Sequence, residues 1–237
     1  MRTIDVCLSP DLMHLFKVND RTVVVVDILR ATSCMTTAFA FGISQITPVA
    51  KLEDCLALKA TGTFTAGERD GKKVDGFDLG NSPFEYMQPY LKGKNIAFTT
   101  TNGTQAIVKS LGAKEIVIGS FLNLKSVIRH LQNQADNILV VCSGWKGKVN
   151  LEDSLYAGAL VELLKETVQA ECDAPLMAQH LYNAARSDME GYLQNSSHVK
   201  RLARLGIQKD IAFCLTNDQY DVVPVLKDGV LVNQLTS

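Results

Sequence analysis

The sequence predicts an α/β fold in which helices cover both faces of a largely parallel or mixed sheet, a layered α/β/α arrangement. Three apolar runs, TVVVVDI, KNIAFTT and NILVVCS, consist largely of β-branched and other apolar residues that do not alternate with polar ones. Such runs are typical of strands that are buried on both faces of a sheet. Helical patterns follow the first two runs at residues 35–41 and 105–111, and this alternation of strands and helices favours the α/β class.

Further strands and one long loop complete the pattern. KEIVIGSFLN indicates another buried strand, and ISQITPVAKLEDCLALKA indicates a short strand that enters a helix. YDVVPVLKDGVLV predicts a terminal hairpin with Asp228 and Gly229 at its turn. Residues 65–86 show no periodicity and are punctuated by glycines, so we expect an irregular but ordered loop with a helix start near Asn81.

The last third of the chain is predicted to be more helical. Further helical patterns lie at residues 175–194 and 197–205. An amphipathic helix is also predicted from residue 151, with one face formed by Leu151, Leu155, Ala159 and Leu163. No linker rich in Gly, Pro or Ser interrupts the sequence, so residues 1–237 are expected to form a single domain.

Composition and charge narrow the class of protein. Lys and Arg number 24 against 25 Asp and Glu, which gives a formal net charge of −1 and no basic excess for nucleic acid or an anionic membrane. No segment approaches about 20 uninterrupted apolar residues, and the N-terminus does not resemble a signal peptide, so we expect a cytoplasmic protein. The six cysteines are scattered without a C-x-x-C pair, a spacing that favours neither a zinc site nor a disulfide framework.

Polar and small residues follow the three buried strands. In open α/β sheets ligands bind at the carboxyl ends of strands, so these residues are expected to converge on one rim. The rim would contain Asp27 and Arg30, the tract at residues 99–104, and the tract at residues 142–144. Hydroxyls and glycines that lead into helices favour an anion cradle, and Arg30 adds a bidentate donor for an oxyanion.

Several carboxylates accompany this cradle. They are Asp27, Glu68, Asp78, Glu152 and Asp153. A hard cation such as Mg²⁺ binds carboxylates on one side and phosphate oxygens on the other, so the combination predicts a metal-assisted phosphoester or oxyanion enzyme.

Each motif also has a purely structural interpretation. Asp27 could pair with Arg30 or cap the following helix, and Thr-Asn-Gly-Thr could be only a strand-to-helix turn. Asn150 with Asp153 resembles a capping box, and Arg69 with the loop acids could form a solvated surface. The four histidines show no metal-ligand spacing and are expected at the surface or in the core: His14, His130, His180 and His198.

Common phosphate-binding motifs do not match. GERDGKK is one residue shorter than a P-loop and has no Ser or Thr after the lysine. CSGWKGK has Lys148 where a cysteine phosphatase needs an arginine, and DILRAT lacks the second aspartate of the aspartyl-phosphate phosphatases.

Five segments in the same order resemble the 2-phosphosulfolactate phosphatase (ComB) family. They are VVVVDILRATS, AGERDGKKVDGFDLGNSPFEY, TTTNGTQAI, CSGWKGKVNLEDSLYAG and SSHVKRLARLGIQKDIAFCLTND. The resemblance implies a ComB-like α/β fold and hydrolysis of 2-phospho-3-sulfolactate to 3-sulfolactate and phosphate with Mg²⁺, on the route to coenzyme M. The implied partner is a small anionic phosphorylated substrate. Neither nucleic acid nor membrane is expected, and an isologous homodimer is the default expectation.

The resemblance also implies roles for individual residues. Metal ligands are expected among Asp27, Asp78 and Asp153, with Asp27 and Asp153 favoured, while Glu68 or Glu152 would position water. Arg30 and Arg69 would hold the phosphate and the sulfonate or carboxylate. Further donors would come from Asn81, Thr101, Asn102, Gly103 and Thr104, and the pocket floor from Cys142, Ser143 and Gly144.

Three alternatives stay open at this point. The nucleophile could be Asp27 or Cys142, through a covalent phospho-enzyme, instead of a metal-activated water. The substrate could be another 2-phospho acid. The protein could also be a non-catalytic binder of small phosphorylated or sulfonated acids.

Overall fold

The computed structural model describes residues 1–234 as a mixed sheet covered by helices. The strands are β1 (Arg2–Cys7), β2 (Arg21–Val26), β3 (Gln45–Pro48), β4 (Phe64–Arg69), β5 (Lys72–Lys73), β6 (Asn95–Thr99), β7 (Glu115–Gly119), β8 (Asn137–Cys142), β9 (Val168–Ala170), β10 (Pro224–Lys227) and β11 (Val230–Asn233). The α-helices are α1 (Ala31–Ala40), α2 (Leu52–Lys59), α3 (Gly103–Lys109), α4 (Leu124–Gln132), α5 (Leu151–Leu164), α6 (Asp173–Ala185), α7 (Met189–Leu193), α8 (Ser197–Arg204) and α9 (Gln208–Cys214). Short 3₁₀ helices lie at Pro10–Leu15, Pro83–Tyr86, Pro89–Leu91 and Phe121–Asn123. The predicted layered α/β class is confirmed.

The sheet contains two parallel groups of strands joined by a hairpin. Its order is β5-β4-β6-β3-β11-β10-β7-β2-β8-β1-β9. One group consists of β7, β2, β8, β1 and β9, which run parallel to one another, and the other of β4, β6 and β3, with β5 antiparallel at its edge. The hairpin β10–β11 pairs antiparallel with β7 on one side and with β3 on the other. The predicted turn is confirmed, since Asp228 and Gly229 both have positive φ, as a two-residue hairpin turn requires.

Both faces of the central strands are buried, which explains why the valine run does not alternate. Val24 and Val26 of β2 belong to one apolar cluster with residues of α4, α5 and α6. Val23 and Val25 belong to a second cluster with residues of α1 and α3 and of the other strand group. Because strands β4, β6 and β3 share this second cluster with β2, both strand groups pack around α1.

Helix α5 is more deeply buried than a one-stripe amphipathic helix. Leu155 and Ala159 are fully buried as expected, but Leu151 is 37% and Leu163 47% exposed, so the predicted face is wrong at its two ends. The reason is that α5 lies between the sheet and α6, which buries Tyr156 and other side chains outside the expected stripe.

Two other segments differ from the sequence-based expectation. Residues 65–86 begin as strand β4, which pairs with β6, so the first part of the expected loop is regular. The expected helix at residues 175–194 is two helices, because α6 ends at Ala185 and Asp188 caps α7 by accepting a hydrogen bond from the Gly191 N–H at 2.9 Å. Within residues 1–234 no helix combines the length and apolar character that crossing a bilayer requires.

Candidate active site

A narrow cleft lies where the carboxyl ends of β2, β4 and β6 meet helix α8. It is lined by Asp27, Leu29, Arg30, Glu68, Asp70, Gly71, Asn81, Thr101, Asn102, Trp145, His198, Arg201 and Leu202. Of the three strand ends that the sequence predicted to converge, those of β2 and β6 are brought together in the cleft, although these strands belong to different strand groups.

Gly103 allows the turn after β6 to pack directly on the end of β2. A Cβ added at Gly103 would lie 2.8 Å from Asp27 Oδ2 and 2.8 Å from Ala31 Cβ, closer than side chains tolerate. Thr104 stabilises the same turn from inside, because its Oγ1 accepts a hydrogen bond from the Thr100 N–H at 3.2 Å. Thr104 is fully buried, so it shapes the turn and does not line the cleft.

Asp27 presents one free carboxylate oxygen to the cleft. Its Oδ1 accepts a hydrogen bond from the Ala31 N–H at 3.3 Å, while Oδ2 accepts none within residues 1–234. Burial raises the pKa of Asp27 to about 6; the charge of His198 opposes this rise and that of Glu68 adds to it. An acid whose pKa lies this far above its ordinary value in a cleft is typical of a functional site.

Arg30 pairs with a residue that the sequence analysis did not consider. Its Nη1 donates to Asp210 of α9 in a buried ion pair, and its Nη2 donates to the Gly71 carbonyl at 3.4 Å. The alternative of an Asp27–Arg30 pair is therefore not what the structure contains. Arg30 Nε is buried and has no hydrogen-bond partner within residues 1–234, so one donor of this cleft-lining guanidinium is unsatisfied.

Glu68 holds two loops of the cleft together. Its Oε1 accepts a hydrogen bond from the Thr101 N–H at 3.0 Å, and its Oε2 accepts one from the Gly71 N–H at 2.7 Å. The side chain is only 8% exposed. Because both oxygens already bind backbone donors, Glu68 fixes the positions of residues that line the cleft.

The acids at the start of α5 have different surroundings. Asp153 accepts hydrogen bonds from the Ile28 N–H at 2.9 Å and the Gly144 N–H at 3.0 Å, so it ties the ends of β2 and β8 together. Burial raises the pKa of Asp153 well above its usual range, and the neighbouring charges of Glu152 and Asp27 raise it further. Glu152 is fully buried, and its Oε1 contacts His198 Nδ1 while its Oε2 has no partner.

His198 is the main site residue that sequence reasoning missed. It was expected at the surface or in the core, yet it lines the cleft and is held by Glu152 and by Asn150, whose Nδ2 lies 3.2 Å from His198 Nδ1. Asn150 makes no side-chain cap on α5, so the capping-box interpretation is wrong. Because Glu152 and His198 are 46 positions apart, no local spacing signalled the pair.

Further expected site residues also lie outside the cleft. Asp78 pairs with Lys59 at 2.8 Å and accepts hydrogen bonds from Thr65, so its oxygens are occupied elsewhere. Arg69 donates to the Glu68 carbonyl at 2.7 Å and to Thr99 Oγ1 at 3.2 Å, and it does not line the cleft. Cys142 is fully buried in the apolar core, and burial raises the pKa of its thiol well above the ordinary value.

The tract after β8 lines a neighbouring cavity instead of the cleft floor. Ser143 borders this cavity of about 450 Å³ together with Thr101, Asn102 and Lys146. Gly144, with φ of +57°, gives its N–H to Asp153. Thr101 and Asn102 border both spaces, so the two cavities are neighbours across the turn after β6.

Buried polar atoms without partners are concentrated around the cleft. In native proteins such atoms are rare, and each usually has a ligand, a water or a functional reason. Among residues 1–234 the unpaired donors at the cleft include Arg30 Nε, Arg201 Nε and Thr101 Oγ1. Unpaired acceptors include Asn81 Oδ1 and, behind His198, Glu152 Oε2. Unpaired donors and an unpaired acceptor on residues that line one cleft are groups that a bound ligand or ordered water would satisfy.

Comparison with known proteins decides the family. A family model described as 2-phosphosulpholactate phosphatase matches residues 7–229. A protein of Thermotoga petrophila named "Probable 2-phosphosulfolactate phosphatase" is 42% identical over 229 residues, which cover 97% of both chains. A protein with the same name from Caldanaerobacter subterraneus subsp. tengcongensis is 41% identical over 90% of each chain. Another from Clostridium acetobutylicum is 35% identical over 97% of this chain and 99% of its own. The chain belongs to the 2-phosphosulfolactate phosphatase family.

Membership in the 2-phosphosulfolactate phosphatase family identifies the chain as an enzyme of the phosphoric monoester hydrolase class. The resemblance inferred from five sequence segments is thereby confirmed. The match runs from the last residue of β1 to the turn of the terminal hairpin, so it includes every residue that lines the cleft.

The donor set of the cleft fits a hard cation such as Mg²⁺. Within the described part of the chain, no three His, Cys, Asp or Glu side chains form a ready-made metal cage. Mg²⁺, however, is usually held by one or two carboxylates together with substrate phosphate oxygens and water. Asp27 Oδ2 and Glu152 Oε2 are carboxylate oxygens that accept no hydrogen bond from residues 1–234, and a cation would offset the negative charge that burial disfavours here.

Proposed function

We propose that this protein hydrolyses 2-phospho-3-sulfolactate to 3-sulfolactate and phosphate in a Mg²⁺-dependent reaction, on the route to coenzyme M that the resemblance implies. The observation that carries the proposal is the set of unpaired buried donors and acceptors around one cleft in a chain of this family. A phosphate ester of a small acid would engage the donors, and a bound cation would engage the acceptors.

Asp27 and Glu152 would hold the metal through their free oxygens. Mg²⁺ would supply charge neutralisation at the phosphate and a lowered pKa for the attacking water. Asp153 and Glu68 act through position, since their oxygens bind backbone N–H groups that shape the cleft.

Arg30 and Thr101 are suited to the phosphoryl oxygens. Arg30 Nε and Thr101 Oγ1 are donors without partners on the cleft wall. The ion pair with Asp210 holds the guanidinium of Arg30 in place, so little side-chain entropy remains to be lost on binding. Preorganised donors of this kind stabilise the charge that spreads over the phosphoryl oxygens in the transition state.

His198 is positioned to protonate the leaving oxygen. Its Nδ1 contacts Glu152, and its Nε2 makes no hydrogen bond within residues 1–234, so Nε2 is the nitrogen left for the substrate. The leaving group is the alkoxide of a 2-hydroxy acid, which needs a proton to depart readily. As water attacks phosphorus and the bond to that oxygen breaks, one proton reaches the alcohol through His198 and the other ends on phosphate.

A water nucleophile is favoured over a covalent enzyme intermediate on Cys142. The thiol of Cys142 lies in the apolar core, and burial raises its pKa, so it has neither access to the cleft nor thiolate character. A binder without turnover is disfavoured because negative carboxylates near the site weaken the binding of a bare anion.

Phosphate release by the purified protein tests the proposal. The substrates are 2-phospho-3-sulfolactate, phospholactate and phosphoglycolate, each with Mg²⁺ and with EDTA. We expect Mg²⁺-dependent release that is fastest from the sulfonated substrate. Equal release from all three would mean that the enzyme acts on 2-phospho acids in general. Binding without phosphate release would mean that the protein is a binding protein and not a phosphatase.

A further inference from the structure

Arg201 provides a guanidinium that forms no ion pair with a carboxylate in the described part of the chain, residues 1–234. It lies on α8, one turn after His198, so both side chains reach the cleft from the same face of the helix. Its Nε is buried and has no hydrogen-bond partner within residues 1–234, and no ion pair joins it to an acid in that part of the chain. A buried donor without a partner on a cleft wall favours an anionic ligand.

Trp145 holds this guanidinium in position. The Cζ atom of Arg201 lies 4.8 Å from the centre of the Trp145 ring, a stacked cation–π arrangement. The ring itself is held by a tight turn, in which the Trp145 N–H donates to the Lys148 carbonyl at 2.9 Å and the Lys148 N–H donates back at 3.0 Å. Stacking on a fixed ring leaves the edge of the guanidinium free for two oxygens of one anion.

The other cations near the cleft have partners. Arg30 is paired with Asp210, and Lys146 is paired with Asp70 at 3.3 Å. Arg69, which the sequence analysis expected to bind an anionic group, donates to the Glu68 carbonyl outside the cleft. Among the cations that line the cleft, Arg201 is therefore the one with the most charge and hydrogen-bond donors left without a partner within residues 1–234.

We propose that Arg201, stacked on Trp145, forms a second anion subsite that binds the sulfonate of the substrate and thereby determines specificity. This inference rests on the proposed function, because it takes the phosphate to lie at Arg30 and Thr101. The sulfonate is attached to the carbon next to the one that bears the phosphate, and it has three oxygens. Two of these oxygens can accept parallel hydrogen bonds from a guanidinium, a geometry that the point charge of a lysine does not match as well.

Substrate discrimination is the kinetic test. We compare kcat/KM of wild type, Arg201→Ala and Arg201→Lys for 2-phospho-3-sulfolactate, for phospholactate, which lacks the sulfonate, and for 2-phosphooxyethanesulfonate, which lacks the carboxylate. Arg201→Ala should lower the preference for the sulfonated lactate over phospholactate by roughly 10- to 100-fold, mainly through KM, because a hydrogen bond to a charged group is lost. Arg201→Lys should restore only part of that preference.

Two kinetic outcomes would overturn the proposal. An equal loss for all three substrates would mean that Arg201 supports the fold of the cleft or the phosphate. A larger loss for phospholactate than for 2-phosphooxyethanesulfonate would mean that Arg201 binds the carboxylate. Arg204→Ala is the matched control, since Arg204 is exposed on the same helix and the preference should stay within about twofold of wild type.

Binding provides a readout that does not depend on turnover. Trp145 is the single tryptophan of the chain, so its fluorescence reports on the subsite. Titration with 3-sulfolactate should change the emission of wild type and of Arg204→Ala, and the apparent Kd should weaken by roughly 10-fold or more in Arg201→Ala. Unchanged affinity in Arg201→Ala would overturn the subsite. Sulfonate-dependent binding without phosphate release would retain the subsite while removing the proposed phosphatase function.

Discussion

At the scale of single residues, burial disfavours the ionisation of two aspartates at the site, Asp27 and Asp153. Burial raises the pKa of Asp27 to about 6 from an ordinary value of 3.8. The folded state therefore binds this proton more tightly than the unfolded state does. Between about pH 4 and pH 6 the contribution of Asp27 to the free energy of unfolding falls as pH rises, and above pH 6 the ionised carboxylate destabilises the fold.

Replacing Asp27 should therefore stabilise the metal-free protein at neutral pH. Asp27→Asn keeps an oxygen for the Ala31 N–H but cannot ionise. In EDTA we expect its free energy of unfolding to exceed that of wild type by on the order of 1–3 kcal/mol at pH 7.5. The gain should shrink towards zero at pH 4. Urea unfolding at the two pH values measures the gain in the free energy of unfolding. Asp20→Asn is the control for removal of a charge, because Asp20 is exposed. A gain that does not depend on pH would contradict the raised pKa of Asp27.

The role assigned to His198 leads to a kinetic prediction. His198→Gln removes the proton donor for the leaving oxygen while a side-chain amide remains in the cleft. We expect kcat to fall by roughly 10²- to 10⁴-fold with little change in KM. Steady-state kinetics across pH 5 to 9 provide the check. A rise in KM at unchanged kcat would make His198 a binding residue instead.

At the scale of elements, the contact between α5 and α6 fixes the position of the acids. An added Cβ at Gly158 of α5 would collide with the Ala178 carbonyl oxygen of α6 and lie 2.9 Å from Tyr182 Cβ. The two helices therefore approach with almost no space between their backbones. Since Glu152 and Asp153 begin α5, any displacement of this helix also displaces them.

Gly158→Ala has two opposing effects on the free energy of unfolding. Alanine favours a helix over glycine by about 1 kcal/mol, but overpacking against a backbone carbonyl costs about 1–3 kcal/mol or more. We expect the packing cost to dominate, with a lower Tm and a lower kcat. Leu163→Ala is the control, because Leu163 is 47% exposed on the same helix and its loss should change stability by less than about 0.5 kcal/mol. A Gly158→Ala protein as stable as wild type would show that α6 can move away.

At the scale of the whole molecule, the terminal hairpin joins the two strand groups. Leu231 of β11 is fully buried and pairs with Ile46, while Val225 of β10 pairs with Val117. The apolar cluster that contains Leu231 also includes residues of β2 and β6. Both strand groups should therefore unfold together.

Leu231→Ala tests this coupling. We expect a loss of about 2–5 kcal/mol in the free energy of unfolding, typical of a buried leucine, with Lys227→Ala near zero because Lys227 is exposed. The transition followed by Trp145 fluorescence at the cleft should coincide with that followed by far-UV circular dichroism. Separate transitions would mean that the strand groups fold independently.

The sequence predicts much of this molecule where the signal is local. The buried strands, the hairpin turn and the convergence of Asp27, Arg30 and Thr101 follow from composition and from the rule that ligands bind at strand ends. The pairing of Arg30 with Asp210 spans 180 positions, and that of His198 with Glu152 spans 46, so neither leaves a spacing to recognise. The C-terminal hairpin lies between β3 and β7, and this strand pairing is a feature of the tertiary structure that sequence periodicity does not predict.

The most direct test of the proposed site compares Asp27 and Asp78, two aspartates that the resemblance placed among the expected metal ligands. Asp27 faces the cleft with a free oxygen, whereas the oxygens of Asp78 bind Lys59 and Thr65 outside it. Phosphate release from 2-phospho-3-sulfolactate with Mg²⁺ is measured for Asp27→Asn and Asp78→Asn, with Tm recorded for both. The account predicts a loss of about 10³-fold or more for Asp27→Asn and less than about threefold for Asp78→Asn. Normal turnover by Asp27→Asn, or an equal loss in a folded Asp78→Asn protein, would contradict it.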